Sequence, residues 1–311
     1  MKNRPLSATV ASNVPAPVLP ARAAHRGLLT TIFDYVDLTK PRLNLLVVVT
    51  SAGGFYLASN GTRPLLTMVA ASIGTALVAC GAAVLNQVLE RDTDALMERT
   101  RMRPLPSSRV APGDAMIFGI VLAGAGLALL YSAANLLAVL LALATILIYL
   151  LIYTPMKRRS PLATFVGAVP GALPALIGWT AAAGRPSAGG WALFAIVFLW
   201  QVPHFMAIAW MFRDDYRRAG FPMLAVIDPT GSRAGREALV WAAALLPVSL
   251  SPTFVGISGT VYAWLAGVLG AALLSLAIRF SSTRSDASAR ALFFGSITYL
   301  PLLWAAMMLD R

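Results

Sequence analysis

Thirteen acidic residues are spread over 311 positions, and four of them, Glu90, Asp92, Asp94 and Glu98, stand within nine. At about 100° per residue, Asn86, Glu90 and Asp94 fall at roughly 0°, 40° and 80° on a helix, a single stripe, with Asp92 at roughly 240°. An amide and two carboxylates on one face offer hard oxygen donors. Such donors suit Mg²⁺, which protein sites usually hold with one or two carboxylates plus substrate phosphates. A second acidic pair, Asp214-Asp215, lies far downstream. Two carboxylate clusters facing each other are what two Mg²⁺ ions and a diphosphate require. The opposing reading is that these acids pair with Arg91, Arg99 and Arg101 to solvate a loop. Asn86 weighs against it, because a polar side chain inside an apolar run costs free energy and usually serves a function.

The cations nearby divide between two roles. Arg99, Arg101 and Arg103, then Lys157, Arg158 and Arg159, follow apolar runs, as orientation signals do. Arginine is also the residue whose planar fork matches phosphate oxygens. His204, one of two histidines, lies inside an apolar run, Trp200-Gln-Val-Pro203-His204-Phe205. It can hydrogen-bond a neighbouring helix or face a substrate as a proton carrier or iron ligand; both readings stay open. His25, among prolines, reads as solvated and idle. The one cysteine, Cys80, excludes an internal disulfide and a Cys-based metal site and reads as a buried inert thiol.

The elements that must position these residues are apolar. Hydrophobic residues make up 58% of the chain and charged ones 12%, against about 45–50% and about 25% in soluble domains. Nine apolar runs emerge: Leu43–Ser59, Leu65–Leu89, Ala115–Ser132, Leu136–Tyr153, Leu162–Ala182, Trp191–Phe212, Ala238–Val255, Thr260–Ile278 and Ala291–Leu309. The first and seventh are the weakest, interrupted by Gly53-Gly54 and by Pro247 and Pro252. The fold class that follows is all-α: a polytopic bundle of nine transmembrane helices embedded in a lipid bilayer. Residues 1–37, with Pro5, Pro15, Pro17 and Pro20, read as a disordered tail lacking a signal-peptide core; residues 38–311 form the membrane domain.

The net charge of +12 could mean nucleic acid in a soluble protein. Sorted by loop, 22 of the 25 Lys and Arg fall on one side of the nine-span topology, leaving Arg63, Arg185 and Arg311. That asymmetry predicts a cytoplasmic N-terminus, places the chemistry on the cytoplasmic side and removes nucleic acid as a partner.

The stretch Asn86-x-x-x-Glu90-Arg-Asp92-x-Asp94-Ala-x-Met-x-Arg99-Thr-x-x-Arg103-Pro-Leu-Pro resembles the first signature of UbiA-type membrane prenyltransferases. Three further stretches resemble the haem-farnesylating branch of that family: Leu38-Thr-Lys40-Pro-Arg42, Tyr153-Thr-x-x-Lys157-Arg158, and Pro203-His204-Phe205 with Arg213-x-Asp215-Tyr216-x-x-Ala219-Gly220-x-Pro222-Met223-Leu224. The resemblance covers about Leu38 to Met308. It implies a bacterial inner-membrane enzyme that joins farnesyl diphosphate to the vinyl group of protohaem IX, with water, to give haem O. Haem A synthase or oxidase assembly proteins become expected partners.

The resemblance also implies roles. Mg²⁺ would be held by Asn86, Glu90, Asp94 and one of Asp214 or Asp215, with Asp215 favoured. The diphosphate would meet Arg99, Arg103, Lys157 and Arg158, with Arg42 and Lys40 further candidates. Tyr153, His204 and Tyr216 complete the substrate contacts, the last two on the haem side. Two departures stand out: Glu90 where the family usually has Asp, and a compact Asp214-Asp215 with Arg218 where a spaced second aspartate is usual. Two other readings are a family member acting on an aromatic quinone precursor, and a transporter with Pro170, Pro174 and Gly178 breaking a helix. Against the transporter, the charged clusters sit at span ends and not at the midplane.

Overall fold

The computed structural model describes residues 27–59 and 64–311, so His25 and Arg63 lie outside it. Among the described residues nine helices are long and apolar enough to cross a membrane: Pro41–Ser59, Leu65–Asp94, Pro112–Ala133, Leu136–Met156, Ala163–Ala183, Ala188–Met211, Ser232–Phe254, Thr260–Thr283 and Asp286–Leu309. They are numbered here as spans 1 to 9. The expected nine spans are all present. Span 1 runs unbroken through Gly53 and Gly54. Span 7 breaks at Leu250, between Pro247 and Pro252, into Ser232–Ser249 and Ser251–Phe254.

Spans 5 and 6 form the centre of the bundle and are its most enclosed helices. Span 5 packs on span 1 and span 4, span 6 on spans 7 and 9, and the two pack on each other. Lipid tails are as apolar as the helices, so association rests on close backbone approach through small residues. Span 1 against span 5 shows this directly. A Cβ placed on Gly178 would fall on the Ser51 carbonyl oxygen, and one on Gly54 on the Ala175 carbonyl oxygen.

The residues read as the end of the tail are ordered as a helix, Leu28–Leu38. No proline falls between Ala21 and Lys40, so nothing blocks it. Its Asp34 and Leu38 are buried while Leu28, Leu29, Ile32, Phe33 and Val36 are exposed, the amphipathic pattern of a helix lying along a membrane surface. Arg109 reaches Asp34 at 3.1 Å and the Phe118 ring packs edge-on against Tyr35.

Span 4 carries a π segment, Ile148–Tyr153, before its last turn. Such single wide turns recur at functional sites because the register shift re-aims the side chains that follow.

Candidate active site

Span 2 continues as helix to Asp94, five residues past its apolar run, so Asn86, Glu90, Asp92 and Asp94 are helical and Glu98 lies in the turn that follows. Asn86, Glu90 and Asp94 are exposed by 2%, 3% and 1%. Asp92, on the opposite face, is exposed and pairs with Arg91 at 3.0 Å. The stripe read from periodicity is therefore the buried face of the helix end.

Each member has a partner from another part of the chain. The Asn86 amide donates to Thr154 Oγ1 at 3.0 Å, and the Tyr149 hydroxyl donates to Asn86 Oδ1 at 3.4 Å. Lys157 Nζ lies 3.1 and 3.0 Å from the two Glu90 oxygens. Arg103 donates to Asp94 Oδ2 at 2.8 Å, and Thr100 Oγ1 donates to the Asp94 carbonyl at 2.7 Å. Tyr149 and Tyr153 stack at 5.3 Å between ring centroids, and Lys157 sits 4.6 Å above the Phe221 ring.

Lys40 reaches the same cluster from the strap between the N-terminal helix and span 1. Its backbone is left-handed, φ 51°. Two buried amides hold the strap: Gln87 Nε2 donates to the Leu38 carbonyl at 2.6 Å and Asn44 Nδ2 to the Thr39 carbonyl at 2.5 Å. Burial lowers the Lys40 ammonium to a pKa of about 8, helped by Arg103 and Lys157 and opposed by Glu90 and Asp94.

Asp215 is held by partners of its own. Its carboxylate accepts the backbone amides of Glu98 and Arg99 at 3.2 and 3.4 Å and pairs with Arg218. Burial pushes its pKa up, but the Glu98 amide, the Arg218 guanidinium and the Arg99 amide outweigh that and hold it below the ordinary aspartate value. The loop after span 2 is thus clamped to the short helix Arg213–Arg218 after span 6. On that clamp Arg99 donates to the Tyr216 hydroxyl at 2.9 Å and lies over the Tyr216 and Phe212 rings, at 4.9 and 5.1 Å. A cleft of about 320 Å³ opens there, lined by Glu98, Arg99, Met211, Phe212, Asp214 and Asp215.

Other expected residues lie further off. Asp214 is exposed and pairs with Arg217 at 2.5 Å. Arg42 is exposed at the start of span 1. Arg158 donates to Thr93 Oγ1 at 3.1 Å along the outer edge of span 2. His204 makes an interhelical bond: its Nδ1 is 2.8 Å from Ser296 Oγ of span 9, with the ring between Trp200 and Phe293 at 5.0 and 5.1 Å. Ser296 gives its own proton to the Phe293 carbonyl, so Nδ1–H is the donor to Ser296 and Nε2 is the ring's acceptor nitrogen.

Sequence reasoning missed Tyr149, Thr154, Phe221 and Gln87. Thr154 and Phe221 stand inside the quoted motifs but carry no charge to mark them. Gln87 follows Asn86 in the same apolar run and faces the strap.

Among the described residues no three acids, histidines or cysteines converge as a metal cluster. The donor set that does exist, two carboxylates and an amide oxygen on one buried stripe, fits Mg²⁺ in its usual protein share, with substrate phosphates completing the shell.

Among the described residues, nine membrane-length helices in an all-α bundle, with most of the charged side chains toward one end, define a polytopic membrane protein. The chain belongs to the UbiA prenyltransferase family, whose model matches residues 46–300. It is 44% identical over 287 residues to the protoheme IX farnesyltransferase of Solibacter usitatus, covering 89% of this chain and 98% of that one. The protein of the same name from Opitutus terrae is 47% identical over 279 residues, covering 89% and 94%. Among solved structures, a digeranylgeranylglyceryl phosphate synthase superposes with a TM-score of 0.76 at 17% identity, covering 90% of this chain and 98% of that one. A UbiA homologue from Archaeoglobus fulgidus bound to GPP and Mg²⁺ superposes with a TM-score of 0.63 at 17% identity, covering 88% and 99%.

Proposed function

We infer that this enzyme transfers the farnesyl group of farnesyl diphosphate to a vinyl group of protohaem IX, with addition of water, giving haem O and diphosphate. The observation that carries the reading is the buried Asn86–Glu90–Asp94 stripe facing Lys157, Arg103 and Lys40, in a chain 41–47% identical to protoheme IX farnesyltransferases along about nine-tenths of its length.

Asn86, Glu90 and Asp94 would hold Mg²⁺, which would supply positive charge to the diphosphate leaving group. Arg103 and Lys157, paired with these acids, are placed to take phosphate oxygens, and Lys40 adds a third cation. Arg99 is held for the same task by Tyr216 and by the Asp215 clamp, and in this reading Tyr216 serves the anion side through Arg99. The stacked Tyr149 and Tyr153 rings and Phe221 wall the site with π faces that suit a developing allylic cation and keep water from it. The new C–C bond joins farnesyl C1 to the terminal vinyl carbon. Water then adds its hydroxyl to the carbon left positive and releases one proton. His204, with Nε2 as its acceptor nitrogen, is the candidate contact on the haem side.

The charged end of the bundle faces the cytoplasm in this reading, because 22 of the 25 Lys and Arg fall on that side of the nine-span order in sequence, and the membrane is the bacterial inner membrane. The test is diphosphate release by the purified protein in detergent. Release that requires Mg²⁺, farnesyl diphosphate and haem together supports the reading. Release with a quinone-ring acceptor but not with haem overturns it.

A further inference from the structure

Asparagine can ligate a metal only through Oδ1, and its amide can be turned either way. In this site one neighbour decides which way it turns. The π segment places Thr154 five residues after Tyr149, so the Thr154 backbone amide bonds the Tyr149 carbonyl. The Thr154 hydroxyl donates to that same carbonyl at 2.7 Å. Its only proton is thereby committed, and Oγ1 can act toward Asn86 solely as an acceptor. The Asn86 NH₂ therefore faces Thr154, at 3.0 Å. A flipped amide would set Oδ1 against Oγ1, two acceptors with no proton between them, inside a buried site where that costs about 1–3 kcal/mol.

Oδ1 consequently faces the other way, toward the Tyr149 hydroxyl, which lies in the electrostatic field of Glu90, Lys157 and Arg103. The Tyr149 bond to Oδ1, at 3.4 Å, is long and weak, so the oxygen keeps lone pairs for a cation. Thr154 is 5% exposed and Asn86 2%, so bulk water has little access to replace these bonds.

We propose that Thr154 is a positioning residue: through the π turn of span 4 it fixes the Asn86 amide with its oxygen toward the metal and diphosphate. The proposal rests on the Mg²⁺ reading of the stripe given above. It explains why a wide turn interrupts an otherwise regular membrane helix at this level. In an α register Thr154 would bond the carbonyl four residues back, and its hydroxyl would leave the Tyr149 carbonyl.

The experiment is Mn²⁺ binding, read by electron paramagnetic resonance on the detergent-solubilised full chain with a non-hydrolysable farnesyl diphosphate analogue. Thr154→Val keeps the shape and removes the hydroxyl; it is expected to weaken Mn²⁺ binding by about 10–100-fold, the usual cost of losing an outer partner of a ligand. Thr154→Ser keeps the hydroxyl and is expected to restore binding. In an Asn86→Asp background both side-chain oxygens are donors, so Thr154→Val should add no further loss. Unchanged Mn²⁺ affinity in Thr154→Val, failure of Thr154→Ser to restore it, or the same loss in the Asn86→Asp background overturns the proposal. If the wild-type chain binds no Mn²⁺ with the analogue, the metal reading itself falls, and the positioning role with it.

Discussion

The ammonium of Lys157, at the end of span 4, sits 3.0–3.1 Å from both carboxylate oxygens of Glu90, on span 2. Their side chains are only 10% and 4% exposed. Sixty-seven residues separate the two in sequence, so this pair joins two helices at the level of the site. Removing one partner strands the other charge in a buried place, at about 3–5 kcal/mol. Glu90→Gln should therefore lower thermal stability in detergent as well as turnover. Exchanging the pair, Glu90→Lys with Lys157→Glu, should recover stability and leave turnover lost, since the carboxylate no longer stands on the Asn86 stripe. Recovery of both would show that the pair serves packing alone.

Asp94→Asn preserves shape and removes the charge that pairs with Arg103 and that would hold Mg²⁺ in the proposed reading. Turnover at saturating Mg²⁺ should fall by on the order of 10²-fold or more, with membrane insertion and elution of the purified protein unchanged. Activity within a few-fold of wild type would contradict the metal stripe.

Lys40 gives a pH dependence. Its folded pKa of about 8 lies below the ordinary lysine value of 10.5, so it is charged below pH 8 and neutral above. KM for farnesyl diphosphate should rise as pH passes through about 8, while Lys40→Arg, charged throughout, should flatten that limb. The linked stability runs oppositely. The unfolded chain holds the proton up to 10.5 and the folded chain only to about 8, so this residue's contribution rises with pH between those values.

The Asp215 clamp makes a prediction about acid. Its folded pKa is depressed below 3.8, so its stabilising contribution is complete above 3.8 and is lost as pH falls through the lower folded value. Hydrogen exchange at the Glu98 and Arg99 amides should stay slow at pH 5 and speed up only in that acid range. In Asp215→Ala those amides should exchange fast at every pH, and catalytic efficiency should drop by up to about 10²-fold, since Arg99 loses its anchor.

The close approach of spans 1 and 5 is tested by Gly178→Val. Side-chain atoms would occupy the place of the Ser51 carbonyl, and overpacking of this kind costs about 1–3 kcal/mol. A melting temperature equal to wild type would contradict the contact.

The parts of this account that the sequence made legible share a physical cause. Span number came from apolar runs, and the Asn86–Glu90–Asp94 face came from helical period, both local properties of the chain. Span 4 hid its π turn because Ile148–Tyr153, Ile-Tyr-Leu-Leu-Ile-Tyr, is apolar throughout and holds no glycine or proline to mark a register change. The Asp215 clamp was invisible because its partners lie 116 and 117 residues away. The helix Leu28–Leu38 falls almost wholly within residues 1–37, which read as tail because they hold four prolines and no unbroken apolar core. Its buried Asp34 and Leu38 reveal themselves only against the loop and span 3. The interhelical bond of His204 was hidden for the same reason, since Ser296 lies 92 residues away on span 9.

The central claim is that the bundle's charged end joins a farnesyl group to haem. The most direct measurement is the mass spectrum of haem recovered after purified protein, Mg²⁺, farnesyl diphosphate and protohaem IX are incubated together. The predicted product is a haem heavier by one farnesyl group and one hydroxyl group, absent with the Asp94→Asn protein. Recovery of unmodified haem alone, from protein that prenylates a quinone-ring precursor under the same conditions, would contradict it.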